Sequence, residues 1–333
     1  MRMTILAAIV LALAVAVFFW LRHGSGEEGE PKNDPTEVVS GKNSNEKDAW
    51  TVWHEHSAKK IFSRVSDDAI WEFMADPGQP GEDQGRSAVL ELFEEEFEKP
   101  FPDEKVIFMR RFVFEQPLII DELWTAGIHQ GTYSGFKPTM KRVGARALWF
   151  RWYRDGKLYK IVTYSDRVTT ILRQIGHLPP SAGVVPEVPP LPKHPDSFDV
   201  IEGEGDPKRI EAVRAAYAAF AKPDKSAVKA LYTAETLFRD VAENIEIKGV
   251  DKHLEQMAVM EKAFPTTVAE VAQAFAVGDY VITMVVWKGT HDGPLGKLKP
   301  TGRPVEIKQA QVFRFEGDKV VDVSTYSSTL DFI

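Results

Sequence analysis

The 333-residue chain carries 41 Lys and Arg against 49 Asp and Glu, a net charge of −8, and it has no cysteine. The missing thiols exclude disulfides, iron–sulfur clusters, thiolate zinc sites and cysteine nucleophiles. The acidic balance argues against nucleic acid as a partner, because phosphate binding needs clustered Lys and Arg.

In chain order, the first feature is "MTILAAIVLALAVAVFFWL" (3–21), 19 residues without a charge. As a helix it would be roughly 28 Å long, enough to cross a bilayer core. It ends in Phe18, Phe19, Trp20 and Leu21 where a signal peptidase needs small residues. A single-pass transmembrane anchor with the domains outside the cytoplasm is therefore expected; export after signal cleavage is the alternative. Residues 24–47, rich in Gly, Ser, Asn and Glu, read as a flexible tether.

Two blocks follow, 48–178 and 205–333, separated by a Pro-rich linker (179–204) that reads as an extended spacer. In the second block, "DPKRIEAVRAAYAAFAK" and "VDKHLEQMAVMEKAF" have helical spacing and end at Pro223 and Pro265, with "KSAVKALY" a short helix between them. "TLFRDVAENIEIKG" reads as extended. Four segments with a period of two then form a meander from residue 268 to 328. The first block repeats this order: early helices in "KDAWTVWHEHSAKKIF", a strand in "DAIWEFM", a helix in "GRSAVLELFEEEFEKPFP", then four strands. In that helix Leu92, Phe93 and Phe97 form the buried stripe and the glutamates the solvated face. "HEH" (54–56) lacks the spacing of a metal-binding helix and reads as surface.

The halves are copies. At an offset of 162 residues, eleven of the forty positions from Gly127 to Asp166 are identical, among them His129/His291, Gly131/Gly293, Thr139/Thr301, Thr163/Thr325 and Tyr164/Tyr326. The period is too long for a solenoid, so each copy is a whole domain.

The stretch "GIHQGTYSGFKPTMKRVGARALWFRWYRDGKLYKIVTYSDRVTTILRQIG" (127–176) resembles the C-terminal half of SnoaL-like polyketide cyclases, in the NTF2-like superfamily, through Gly-x-His-x-Gly, the Pro-Thr and Asp-Gly-Lys turns and the closing Leu-Arg-Gln-Ile-Gly. The second block is similar to the general NTF2-like pattern. The resemblance implies an α+β fold of two cones, each with three helices packed on a curved antiparallel sheet around an apolar pocket. It also implies an aldol-type ring closure driven by an aspartate on the last strand, with a histidine on the preceding strand. Here the aspartate position falls on Thr163 and Thr325, and the histidine position on Trp149 and Gln311. A threonine hydroxyl is no acid or base near neutral pH, so a hydroxyl is expected in each half where the family keeps its proton-handling carboxylate.

Strand alternation turns Thr163 and Thr325 inward, either to satisfy a pocket hydrogen bond or to touch a ligand. His129 and His291 either titrate at the pocket rim or pin a hairpin that Gly131 and Gly293 permit. Tyr217 is either core packing or an oxyanion-stabilising phenol of the kind the resemblance implies for some isomerases, with Asp240 or Glu243 as its carboxylate. With Trp71 on the first strand, these residues make the expected pocket walls. No cofactor or metal motif is present. The expectation is a tethered tandem protein that binds a small apolar ligand or a partner, with an intramolecular pair or a homodimer formed through the sheets. The alternative is a cyclase- or isomerase-like enzyme working through the second domain on a small carbonyl compound.

Overall fold

The computed structural model describes residues 64–73, 82–114, 117–179, 185–191, 197–220, 222, 224–296 and 298–328. The expected anchor, tether and early helices of the first block lie outside these residues. Among the described residues no helix is long and apolar enough to cross a membrane.

The first half runs β1 (Val65–Phe73), β2 (Glu82–Gln84), α1 (Arg86–Phe93), a π-helical turn (Glu94–Glu98), β3 (Lys105–Val113), β4 (Leu118–Ile128), β5 (Arg142–Arg154), β6 (Lys157–Ser165) and α2 (Arg167–Ile175). The second runs α3 (Pro207–Phe220), α4 (Ser226–Leu231), β8 (Tyr232–Asp240), β9 (Ile245–Lys248), α5 (Val250–Ala263), β10 (Val268–Val277), β11 (Tyr280–Thr290), β12 (Pro304–Glu316) and β13 (Lys319–Tyr326). Between them β7 (Asp199–Ile201) lies in the linker. The sheets are ordered β2-β1-β6-β5-β4-β3-β7 and β10-β11-β12-β13-β8-β9.

Both meanders are antiparallel, but the sheets as a whole are mixed, which corrects the antiparallel expectation. β1 pairs parallel with β6, β8 with β13, and β7 with β3. The first strand of each half returns beside the last after a long crossover, and side-chain periodicity carries no information about strand direction. The stretch 236–249 is not one strand. Asn244, at φ 53°, turns it into the β8–β9 hairpin. The linker is also not a free spacer: Gln174 and Arg142 bond the carbonyls of Pro186, Val188 and Pro189, and β7 extends the first sheet. The closing Leu-Arg-Gln-Ile-Gly motif lies at the end of helix α2. Val168, Ile171 and Ile175 are buried on it, and it stops at Gly176, which adopts the left-handed φ of 92° that glycine permits.

Each sheet buries one face in its own core. In the first half Val106, Ile119, Leu123, Ala147 and Ile161 pack under Phe93 and Phe97. In the second Val281, Val285, Phe313 and Val323 pack against Val213 and Tyr217. The other faces meet: Ile120, Leu148, Phe150 and Tyr164 join Ile282, Met284, Val312 and Tyr326 in a single buried cluster. Burial on both faces explains why "LIIDELWTAGI" lacks a clean alternation. At this seam Glu122 accepts from Arg146 (2.6 Å) and the Tyr326 hydroxyl, and Arg110 forms an ion pair with it at 3.3 Å. Burial raises the Glu122 carboxyl, but the Arg146 and Arg110 charges outweigh it and hold the group below its usual range. Ser328 Oγ donates to Asp166 Oδ1 at 3.4 Å, so two positions 162 residues apart touch across the seam.

Candidate functional site

In the first cone, β5 and β6 set Trp149 opposite Thr163. The indole of Trp71 donates to Thr163 Oγ1 at 2.9 Å, so the hydroxyl at the acid/base position is engaged by a buried ring. Trp71 also meets Trp149 edge-on at 6.2 Å and stacks on Phe73 and Phe97. What remains beside Phe97, Trp149 and Thr163 is a cavity of about 10 Å³, the size of a single water at most.

A hydroxyl stands at the family's acid/base position, but this half also buries carboxylates elsewhere in its core. Asp121 shares the face of Ile119 and Leu123 and pairs with Arg111 and Arg151, all three fully buried. The Arg111 guanidinium lies 4.5 Å from the Phe108 ring. Nearer the remaining cavity, Arg167 bonds Glu104 twice (2.7 and 3.1 Å) and also Thr125. Burial pushes the Glu104 carboxyl above its usual range, against the pull of Arg167. The signal for Asp121 was available: an acidic pair inside the apolar run "LIIDELW", with Arg111 and Arg151 on the neighbouring strands. Neither carboxylate stands at the family's catalytic position, and each is held by arginine.

The paired histidines serve the hairpin. His129 Nδ1 lies 3.1 Å from Thr139 Oγ1, and His291 Nδ1 lies 3.2 Å from Thr301 Oγ1. Their backbone N–H groups donate to Lys141 and Arg303 at the same 2.9 Å. Burial lowers the His129 imidazole below its usual range, opposed by a bond to the Gly131 backbone. A Cβ on Gly131 would sit 2.1 Å from the Lys99 carbonyl oxygen, and one on Gly293 would sit 1.7 Å from that of Lys262, so only glycine fits either turn.

The second cone is built differently. Tyr217 on α3 reaches Thr283 at 2.8 Å and donates to Gln311 Oε1, while Gln311 Nε2 donates to Thr325 Oγ1 at 2.8 Å. Burial raises the Tyr217 phenol far above its usual range, so it stays protonated. Gln311 and Thr325 are half-buried, whereas Trp149 and Thr163 at the equivalent places are buried. Trp287 donates to Gln309 at 2.8 Å and packs on Phe220 and Tyr217.

Asp240 ends β8 opposite Thr325 in register and accepts from the Glu243 N–H at 3.0 Å. It also lines a cavity of about 120 Å³ between the halves, with Trp124, Arg146, Asp166 and Arg239. Burial, with Glu243 and Asp166 nearby, pushes its carboxyl up to about 6. The structure therefore joins Tyr217, Gln311 and Thr325 in one relay and sets Asp240 beside it; the phenol's own partners are Thr283 and Gln311.

The sequence profile of SnoaL-like polyketide cyclases matches residues 48–175 and again 210–331. The chain belongs to this family. Solved structures similar to single halves include the SnoaL-like protein of Jannaschia sp. CCS1, at 18% identity over 39% of this chain and 92% of that one, with a TM-score of 0.37. IdmH from Streptomyces antibioticus matches at 21% identity over 37% of this chain and 94% of its own, with a TM-score of 0.35. A ketosteroid isomerase-like fold protein from Catenulispora acidiphila DSM 44928 matches at 21% over 36% and 86%, with a TM-score of 0.32. No curated protein matches this SnoaL-like chain.

Proposed function

We propose that this protein is a membrane-tethered SnoaL-like binding module in which the second cone receives a small apolar ligand and the first serves as its closed structural partner. The observation that carries this reading is the exchange at one strand position. Trp149 fills the first cone, while Gln311 leaves polar, half-buried groups facing the apolar walls of the second. Ligand sites combine apolar walls with a few placed polar groups. The seam between the sheets is the reading's second element: the two halves pair within one chain, and the duplication supplies each with its partner. Residues 3–21 would hold the pair at a membrane.

Titration of the full chain with the neutral naphthyl ketone dye prodan tests the binding claim. Saturable binding is expected, and Gln311→Trp, which copies the first cone, should abolish it. Binding that survives Gln311→Trp, or no saturable binding at all, overturns the proposal.

A second reading rests on Asp240. A carboxyl held at about 6 beside Thr325 has the proton affinity of a general base near neutral pH. It predicts exchange of α-protons of a cyclic ketone in deuterated water, lost in Asp240→Asn. Equal exchange by wild type and Asp240→Asn removes this reading and leaves the binding reading standing.

A further inference from the structure

We propose that the hairpin tip of the first half, residues 136–142, docks on an anionic lipid surface with Met140 inserted among the lipids. This rests on the membrane-tethered reading above.

Met140 adopts φ 56°, in the left-handed region where a side chain is strained, and it is 65% exposed. The position 162 residues later is Gly302 at φ 65°, so the second half makes the same turn without strain. Folding needs neither the strain nor the bare methionine, and an outlier of this kind points to a use outside the fold.

The tip is rigid. The Met140 N–H donates to the His129 carbonyl at 3.0 Å, Thr139 is held by the His129 ring, and Phe136 stacks on His177 at 3.9 Å. Met140 is thus presented outward on a pinned frame and loses little entropy when it inserts.

Charge then selects the partner. Residues 123–154 hold six Lys and Arg and no Asp or Glu, in a chain of net charge −8. Lys137, Lys141 and Arg142 are exposed. Lys141 bonds the carbonyls of Gln174 and Ile175, and Arg142 those of Val188 and Pro189, so none of the three cations meets a carboxylate among the described residues. Asp103, at the base of the hairpin, is occupied by the Ile128 N–H and Gln130. A single exposed apolar residue on a tip that carries three cations is too small for a specific protein interface, which buries well over 1,000 Å². It suits a lipid surface, where each Lys or Arg adds attraction to anionic headgroups and an unbranched side chain packs among acyl chains.

The chain has no cysteine, so Met140→Cys provides a single thiol for an environment-sensitive NBD label on the full-length protein. With phosphatidylglycerol-containing vesicles the emission should shift to the blue and be quenched by lipid-borne spin labels. Pure phosphatidylcholine should give neither effect, and Lys137→Glu with Lys141→Glu should abolish both. A label that stays in water on vesicles that carry the protein overturns tip docking and leaves the tether intact. A shift that persists in phosphatidylcholine or in the double Glu variant overturns the electrostatic docking. Protein that floats with neither vesicle overturns both the docking and the tether.

Discussion

The two cones share a strand order and differ in what fills them. In the first, Trp71 and Trp149 close over Thr163, and the remaining polar groups are arginine-bound carboxylates deep in the core. In the second, the place of Asp121 is Thr283, that of Trp149 is Gln311 and that of Arg151 is Phe313, so a neutral relay replaces ions and rings. The features retained in both are the hairpin pin and the seam. The frame is therefore separable from the contents. The histidines, glycines and sheet faces hold the architecture, and the inward positions of β4, β5, β11 and β12 decide what fills each cone.

The largest expected contrast lies in the buried ions. Asp121→Asn leaves two guanidiniums facing each other in the core, and breaking such a group costs about 3–5 kcal/mol. Thr283→Val at the equivalent place removes a neutral bond, at about 1 kcal/mol. Urea titration of both variants by circular dichroism checks this; equal losses would mean that the two cones are built alike after all.

Next comes the pH response of Asp240. Its carboxyl is held at about 6 against an ordinary 3.8, so the folded state binds the extra proton between these values. This group's stabilising contribution is greatest in acid and is lost as pH rises through 6. Stability should fall between pH 5 and 7.5 by about 1.4 kcal/mol, and Asp240→Asn should flatten the curve. Glu122, held low by its arginines, titrates in more acidic solution and leaves this window undisturbed.

The seam offers a smaller contrast. Tyr326 donates to the buried Glu122 carboxylate, a bond of about 1.5–3 kcal/mol. Tyr164, its counterpart, packs in the same cluster with no hydrogen bond among the described residues. Tyr326→Phe should therefore lower the melting temperature by several degrees and Tyr164→Phe should barely change it.

Much of this was legible from local signals. Proline and glycine punctuation, helical spacing and the internal repeat gave most of the elements and their order, because those signals lie within one element or at a fixed offset. Strand direction did not show, since the parallel pairing of β1 with β6 is a property of the assembled sheet. The ion group was hidden for a related reason: Arg111, Asp121 and Arg151 meet only once β3, β4 and β5 are in register. Helix α2 was missed although Asp166, Val168, Ile171, Ile175 and Gly176 spell its start, face and stop. At the candidate site, the threonines were legible as positions but not as partners, because Trp71 reaches Thr163 from a strand 92 residues away.

Those threonines give the finest test of the comparison. Thr163 and Thr325 are the same residue at the same register, so Val in either place removes the same hydroxyl. In the first cone the loss removes the partner of the Trp71 indole N–H, in a buried site whose cavity of about 10 Å³ is at the lower limit for one water. An unsatisfied buried donor costs about 1–3 kcal/mol. In the second cone the loss frees one N–H of Gln311, which is half-buried and can turn to solvent, at a few tenths of a kcal/mol. Tryptophan fluorescence of Thr163→Val should change as well, since Trp71 loses its bond, while Thr325→Val should leave the spectrum unaltered. The reverse order of stability losses would place the closed, dry cone in the second half rather than the first.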